Sequence, residues 1–299
     1  MQHPEYKNHE VQPLIDPLRD LIETVLDYGD SVPDRTGTGT LEMFATFLHY
    51  SLLENVFPLC TLKKTSFKAV LAETLWLISG QDKLDMMHAA DARHWDPWLP
   101  EDACFGAGSL GRVYGVQWRH WRTGQEVARV GDVVFHGIPK YTDQLKELVD
   151  GLRTNPHGRR HIVTCWNPGE LDQMALPPCH VLWQVHVDSD GYLSLQVYQR
   201  SVDLFIGCPY DVGIYSLILR MLCVILKLKP GRLSFAFGST HIYKNHVAQA
   251  EEFISRKHLL FPTLTIADKG QKYLEDFLPS DFTLEGYHPH PFIKAPVAV

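Results

Sequence analysis

The chain has 299 residues, of which 45% are hydrophobic and 21% are charged, a composition typical of a globular protein and not of a disordered one. Its 28 basic and 35 acidic residues give a net charge of −7, which disfavours nonspecific binding to a nucleic-acid backbone. No linker, low-complexity tract or internal repeat divides the sequence, so we expect a single domain over residues 1–299.

The N-terminal stretch MQHPEYKNHEV has no apolar signal core, and we expect no run of the chain to be long enough to span a membrane. The six cysteines are scattered without a CxxC pair, which in a chain of this length indicates reduced thiols. These features predict a cytoplasmic protein, in the host cytoplasm if the source is a virus, without a membrane or nucleic-acid partner.

Hydrophobic spacing predicts helices and strands along the whole chain. In chain order these are a helix over 14–28, a strand over 41–52, a helix over 67–80, a hairpin within an irregular Gly-rich region at 106–140, a helix over 141–152, strands over 160–166 and 179–201 with a turn at 188–191, and a helix over 215–228. The last helix is the most hydrophobic, and its fourteen residues predict a buried core helix. We therefore predict an α+β fold with helices packed on a central sheet.

Several motifs typical of other functions lack the context that they need. GAGSLG at 106–111 matches the dinucleotide-binding fingerprint, but no clear strand precedes it and no good helix opening follows. DRTGTGT at 34–40 lacks the Lys-Ser/Thr ending of a P-loop. The histidines of YHPHP lie in Pro-rich geometry that disfavours convergence on an ion, so no metal is predicted.

Cys179 is a candidate nucleophile because it follows two prolines at the entrance to an apolar strand, although a buried structural cysteine is the common alternative. Cationic groups lower a thiol pKa, and converging guanidinium groups bind a phosphate dianion. Four arginines are candidates for both roles: Arg35, Arg159, Arg160 and Arg200. Whether they converge on Cys179 cannot be read from the sequence.

The chain resembles the folate-dependent thymidylate synthases and their hydroxymethylase relatives over nearly its whole length. The resemblance rests on these motifs in the family's order: DRTGTGT, VYGVQWRHW, RRHIVTCWNPGELDQMALPPCH, LQVYQRSVDLFIGCPYD, STHIYKNHVAQA and GYHPHPFIKAPVAV. It implies an α+β fold with a central mixed sheet and a homodimer formed across that sheet. In such a dimer, Arg159 and Arg160 would reach the phosphate site of the neighbouring subunit and join Arg35 and Arg200.

The resemblance also implies the chemistry. Cys179 would add to C6 of a pyrimidine, and C5 would then attack the one-carbon unit of 5,10-methylenetetrahydrofolate, the co-substrate. Glu73 would relay protons to the base and the folate, and Tyr114 would act with water in removing the C5 proton. The other implied site residues are His180, Asn167 and Glu170 around the base, Ser201, His241 and Tyr243 for the nucleotide, and Asp203, Trp95, Trp98, Gly207 and Val299 for the folate.

Asp211 departs from the family pattern, because the resemblance places there the asparagine with which thymidylate synthases recognise uracil. A protonated carboxylic acid matches the N3 acceptor and N4 donor of cytosine, and an ionised one matches cytosine protonated at N3. Against uracil, an ionised Asp211 would face O4 with no donor between them. The sequence therefore favours dCMP over dUMP, as in the family's deoxycytidylate-specific members. An Asp211 that is merely solvated or salt-bridged is the alternative.

The product depends on whether hydride or water reaches the exocyclic methylene at C5. Trp95 and the terminal KAPVAV, which in the family exclude water, favour methylation to 5-methyl-dCMP for use in DNA. The alternatives are a dCMP hydroxymethylase, a conventional dUMP thymidylate synthase with a tolerated Asp211, and a non-catalytic nucleotide- or RNA-binding descendant of the fold. Retention of Cys179, Glu73 and Tyr114 argues against the last.

Overall fold

The structure, a computed structural model, describes residues 16–52, 55–130 and 133–297, with backbone only for residues 125–130, 133–136 and 138. Seven α-helices lie within the described residues: α1 Pro17–Tyr28, α2 Phe67–Ser79, α3 Asp85–Ala89, α4 Tyr114–Arg119, α5 Gln144–Thr154, α6 Gly207–Leu226 and α7 Val247–Ser255. Capping residues fix several of the helix ends: the side chains of Asp16, Ser66 and Asp143 cap α1, α2 and α5. Gly80 ends α2 in the left-handed conformation.

The same described residues form ten strands: β1 Asp30–Val32, β2 Thr40–Ser51, β3 Trp121–Val130, β4 Val133–Thr142, β5 Ile162–Thr164, β6 His180–Val187, β7 Tyr192–Asp203, β8 Lys229–Tyr243, β9 Thr263–Ile266 and β10 Phe282–Glu285. Six of them form the central sheet in the order β1-β2-β8-β7-β6-β5. The sheet is mixed, because β7 and β8 are parallel while the other neighbours are antiparallel. This architecture confirms the predicted α+β fold.

Helix α6 lies at the centre of the core, packed against α2 and against β7 and β8. It has 20 residues and not fourteen, because it begins at Gly207, eight residues before the predicted start. Its length and composition would suffice to cross a membrane, so the expectation that no run reaches that length is wrong. However, 78% of its apolar window is buried inside the fold, as in a core helix.

The earlier start of α6 changes the setting of Asp211, which lies within the helix and not in the turn before it. The apolar run that begins at Tyr215 marks only the later part of α6, although Val212 and Ile214 before it are buried as well. Short or polar elements also escaped prediction, among them α4, β9 and β10. The hairpin at 122–137 is confirmed and is longer than predicted, since β3 and β4 pair from Trp121↔Thr142 to Val130↔Val133.

Candidate active site

A cavity of about 680 Å³ lies where the start of β2 and the ends of β7 and β8 meet α2 and α6. It gathers fourteen of the predicted site residues from distant parts of the sequence: Arg35, Glu73, Trp95, Trp98, Tyr114, Cys179, His180, Arg200, Ser201, Asp203, Gly207, Asp211, His241 and Tyr243. Such a concave site with an apolar wall and a few converging polar groups is typical of a small-molecule site.

Cys179 lies at the cavity wall, directly before β6. Its backbone N–H donates to Tyr114 Oη at 2.9 Å, and Arg200 Nη2 lies 3.9 Å from its Sγ. The carbonyls of Pro177 and Pro178 hold the Arg200 guanidinium at 2.9 and 3.0 Å. Burial raises the pKa of the Cys179 thiol, and nearby Arg200 only partly opposes this. Within one subunit, burial therefore outweighs the effect of the arginine nearest to this thiol.

Tyr114 begins α4 with a φ of 22°, a conformation that non-glycine residues rarely adopt. Packing of the next residue, Gly115, maintains this strained backbone. A Cβ on Gly115 would lie 2.2 Å from the Leu77 carbonyl oxygen, so the backbones of α4 and α2 are in direct contact. The Tyr114 ring packs edge-on against His180, with centroids 5.3 Å apart. Burial raises the pKa of Tyr114 well above its ordinary value, which keeps the hydroxyl protonated.

Glu73 is a buried carboxylate on α2, 7% exposed, with two donors on its two oxygens. His94 Nε2 lies 2.7 Å from Oε2, and Trp95 Nε1–H donates to Oε1 at 2.8 Å. Burial alone would lower the pKa of His94, but the charge of Glu73 and its hydrogen bond raise the pKa above the ordinary value. The pair is therefore a site where a proton can be held or passed at the cavity wall.

Asp211 has two protein partners. Its Oδ1 lies 3.1 Å from His180 Nε2, and its Oδ2 accepts from Gln199 Nε2 at 3.0 Å. The other ring nitrogen of His180 lies 3.1 Å from Tyr215 Oη, so both nitrogens are engaged. The Asp211 side chain stays 15% exposed, and it faces the cavity. The residue is thus neither freely solvated nor dependent on a ligand for its hydrogen bonds.

The residues predicted to bind the nucleotide form one wall with Arg200. Exposed Arg35 comes from the loop between β1 and β2, Ser201 from β7, and His241 and Tyr243 from the end of β8. The rings of His241 and Tyr243 pack edge-to-face at 5.0 Å. Burial lowers the pKa of His241 and raises that of Tyr243 to about 12, so both favour their uncharged forms.

Four predicted residues are not brought to this cavity within the chain. Arg159 and Arg160 are exposed, and Arg160 lines a separate cavity of about 540 Å³ beside α5 and β5. The Asn167 Oδ1 accepts from the Gly169 N–H at 3.2 Å. Buried Glu170 pairs with Arg112 at 2.7 Å and Arg122 at 3.0 Å. Glu170 therefore ties β3 to the loop before α4.

The cavity residues predicted to bind the folate include two tryptophans and one carboxylate. The rings of Trp95 and Trp98 lie 5.6 Å apart at a tilt of 58°. Asp203 Oδ1 accepts the backbone N–H groups of Phe205 and Ile206, which fixes this carboxylate at the start of α6. These residues fit a flat heteroaromatic ring system with N–H donors. Val299 lies outside the described residues.

Sequence reasoning missed three residues of the site. Gln199 is fully buried and holds Asp211, His94 holds Glu73, and Lys63 donates to the Phe205 carbonyl beneath the cavity. Gln199 directly precedes Arg200 in YQRS, and His94 directly precedes Trp95 in HWDPW. The sequence thus shows only that they are neighbours of predicted site residues. Their roles depend on contacts across the fold, which no local pattern records.

Residues 16–52, 55–130 and 133–297 contain no group of three or more His, Cys, Asp or Glu side chains placed to hold a metal ion. The polar groups that line the cavity include guanidinium, ammonium, imidazole, phenol, thiol and carboxylate groups. Such a set suits nucleophilic and acid–base chemistry on an organic substrate.

Comparison with known proteins agrees with this geometry. The profile of the family described as thymidylate synthase matches residues 17–299. A thymidylate synthase of Corynebacterium aurimucosum is 41% identical over 285 residues, which cover 95% of this chain and 97% of that protein. The fold and the site define a one-carbon transferase that uses methylenetetrahydrofolate. The chain belongs to the thymidylate synthase family.

Proposed function

We propose that this protein converts dCMP to 5-methyl-dCMP with 5,10-methylenetetrahydrofolate, supplying a modified cytosine nucleotide for DNA. The observation that carries the proposal is the Asp211 carboxylate in the cavity of Cys179. The resemblance to the family implies an asparagine at this position. The family membership supports the reaction class, and Asp211 supports the choice of base.

The hydrogen bonds of Asp211 support a carboxylate that is oriented for base recognition. Gln199 Nε2 donates to it, and His180 can donate to it from Nε2 while Nδ1 accepts from Tyr215. Each Asp211 oxygen keeps a further acceptor position. The cytosine N4 amino group would donate to one oxygen. A proton held by Asp211 or by cytosine N3 would complete the second bond.

Uracil would pair poorly with the same carboxylate. Its O4 is an acceptor and would face an acceptor, which leaves both groups unsatisfied in a partly buried site. Each unsatisfied polar group costs about 1–3 kcal/mol. Two such groups would therefore favour dCMP over dUMP by about 10²- to 10⁴-fold.

The residues of the cavity support the rest of the mechanism. Cys179 Sγ would form the bond to C6 of the base, with Arg200 at 3.9 Å favouring the thiolate that attacks. Tyr114 Oη lies beside Cys179, where it can act with water on the C5 proton, and Glu73 with His94 can move a proton to the base. Methylenetetrahydrofolate, when bound, supplies the one-carbon unit and the hydride for a methyl product.

The remaining assignments belong to the same proposal. Arg35, Arg200, Ser201, His241 and Tyr243 would bind the phosphate and sugar, and Asp203, Trp95, Trp98, Gly207 and Val299 would bind the folate. In a cytoplasmic homodimer, Arg159 and Arg160 would complete the phosphate site of the neighbouring subunit. Asn167 would belong to the surroundings of the base.

Two other products have specific support. Hydroxymethylation of dCMP needs the same residues and differs only in the admission of water to the cavity. Methylation of dUMP is supported by the name of the relative from Corynebacterium aurimucosum, a thymidylate synthase.

Mass analysis of the products distinguishes the three. The protein is incubated with dCMP or dUMP and methylenetetrahydrofolate labelled in the one-carbon unit. We expect labelled 5-methyl-dCMP together with the absorbance of dihydrofolate. Turnover of dUMP without turnover of dCMP would refute the choice of base, and hydroxymethyl-dCMP without dihydrofolate would refute the choice of product.

A further inference from the structure

The C-terminal segment 292–297 forms one side of the active-site cavity. Phe292, Ile293, Ala295 and Val297 all line it. Ile293 is 5% exposed and anchors the beginning of the segment in the core, whereas Val297 is 48% exposed. The part after Ile293 therefore needs another attachment if it is to keep its place at the cavity.

Besides the packing of Ala295 against the core, that attachment is a hydrogen bond to His246. The Nε2 of His246 lies 2.6 Å from the Pro296 carbonyl oxygen. For residues 294–297 it is the one hydrogen bond recorded within the described part of the chain. Because a carbonyl only accepts, Nε2 must carry the proton. The other nitrogen, Nδ1, is buried and has no hydrogen-bond partner among the described residues.

The ring of His246 is held rigidly. It is fully buried, and its centroid lies 5.7 Å from that of Phe205 and 5.5 Å from that of Tyr243. Phe205 precedes α6 and Tyr243 lines the nucleotide wall. A buried ring fixed by packing, with a single hydrogen bond to the backbone of an exposed segment, is suited to holding that segment in one position.

We infer that His246 is a positioning residue that holds residues 294–297 at the active-site cavity and so controls the entry of water there. The expected effect on the product rests on the proposed function, because loss of the hydrogen bond between His246 and Pro296 would admit water in place of hydride. The part that concerns the position of the segment does not depend on which nucleotide is the substrate.

Two amide variants test the inference as a matched pair. The side-chain nitrogen of glutamine reaches about as far as His Nε2, whereas that of asparagine reaches only as far as Nδ1. In His246→Gln the bond to Pro296 can form, and in His246→Asn it cannot. Both variants are polar and both lose the ring, so they differ mainly in this bond.

Carboxypeptidase digestion followed by mass spectrometry reports the position of the segment directly. We expect His246→Asn to lose C-terminal residues about three- to tenfold faster than the wild type, the range of one net hydrogen bond, and His246→Gln to stay within about twofold. Ile293→Ala, which loosens the apolar anchor, is expected to accelerate digestion in both the His246→Asn and the His246→Gln variant. Equal rates for the asparagine and glutamine variants, with thermal unfolding midpoints that agree, would overturn the inference.

Turnover provides the second readout, measured with whichever nucleotide proves to be the substrate. We expect His246→Asn to raise the KM for methylenetetrahydrofolate about three- to tenfold with little change in the nucleotide KM, and to increase the hydroxymethyl fraction of the product. Faster digestion with an unchanged folate KM would overturn the role at the cavity. A wild type that uses dUMP would refute the proposed function and leave the digestion result standing.

Discussion

At the scale of single residues, two carboxylates in one cavity, one buried and one partly buried, are held in different ways. Glu73 is paired with a histidine whose pKa it raises, and Asp211 accepts from an amide and lies beside a histidine engaged on both nitrogens. The first arrangement suits proton transfer, and the second suits a fixed pattern of acceptors. Environment, more than residue type, separates their expected roles.

Replacing Asp211 by asparagine tests its role in base recognition. The amide offers a donor to O4 of uracil, so we expect Asp211→Asn to shift the ratio of kcat/KM for dCMP to that for dUMP by about 10²- to 10⁴-fold toward dUMP. The measurement is steady-state kinetics with both nucleotides. Asp190→Asn, on the exposed turn between β6 and β7, serves as the control. An unchanged ratio would mean that the base is read elsewhere.

The Glu73–His94 pair predicts a pH dependence of stability. The folded-state pKa of His94 is raised above its ordinary value of 6.5, so the folded protein binds this proton more tightly than the unfolded chain does. The resulting stabilisation is complete below pH 6.5 and is lost as pH rises through the folded pKa. We expect the difference in free energy of unfolding between wild type and His94→Gln to shrink from pH 6 to pH 9, as measured by urea denaturation.

Glu73→Gln supplies the control for this prediction. It removes the charge that raises the pKa of His94, so the same pH-dependent difference should disappear in that background. A difference that persists unchanged in the Glu73→Gln background would mean that another group is responsible.

At the scale of elements, the contact between α2 and α4 positions two catalytic candidates at once. Helix α2 carries Glu73, and α4 begins at Tyr114. The helices touch where Gly115 meets the Leu77 carbonyl, and any side chain at 115 would separate them. The strained φ of Tyr114 is therefore maintained by packing of the neighbouring residue.

We expect Gly115→Ala to destabilise the fold by about 1–3 kcal/mol and to lower kcat, because α4 must move away from α2. Gly169→Ala is the matched control, since a Cβ there would make an ordinary contact at 3.6 Å with Asn167 Oδ1, and it should change stability by no more than about 0.5 kcal/mol. Thermal unfolding and steady-state kinetics of both variants provide the measurement. Equal effects of the two substitutions would contradict this account of α4.

At the scale of the whole molecule, one face of the central sheet leaves apolar side chains exposed within the described part of the chain. The register places Phe47, Ala236, Tyr198 and Leu182 side by side across β2, β8, β7 and β6. Phe47 is 62% exposed and Tyr198 is 38% exposed. An apolar sheet face of this kind is suited to a second copy of the chain, which agrees with the proposed homodimer.

Mixing two inactive variants tests whether the sites are shared between subunits. Cys179→Ser lacks the nucleophile, and the double variant Arg159→Ala/Arg160→Ala lacks the arginines proposed to reach the partner. In a mixed dimer, one of the two sites would have both the Cys179 nucleophile and the two arginines from its partner. Random exchange makes half of the dimers mixed, so we expect activity to recover to roughly a quarter of the wild-type value.

The recovery is measured after mild unfolding and refolding of the mixture, with each variant refolded alone as the control. Absence of recovery, with dimers demonstrated by sedimentation, would mean that Arg159 and Arg160 do not serve the partner's site.

The sequence by itself determined the long amphipathic and apolar elements, the α+β class and most of the site. Periodicity shows which face of α1 or β7 is buried, and the motifs YQRS and PPCH contain Arg200 and Cys179, which line the cavity. Only the tertiary structure decided which groups meet. In the folded protein, Asp211 lies within α6 beside Gln199 and His180. Glu73 pairs with His94, and Glu170 forms an ion pair with Arg112. Burial raises the pKa of Cys179. Contacts and desolvation depend on residues far apart in the chain, and for that physical reason no local pattern contains them.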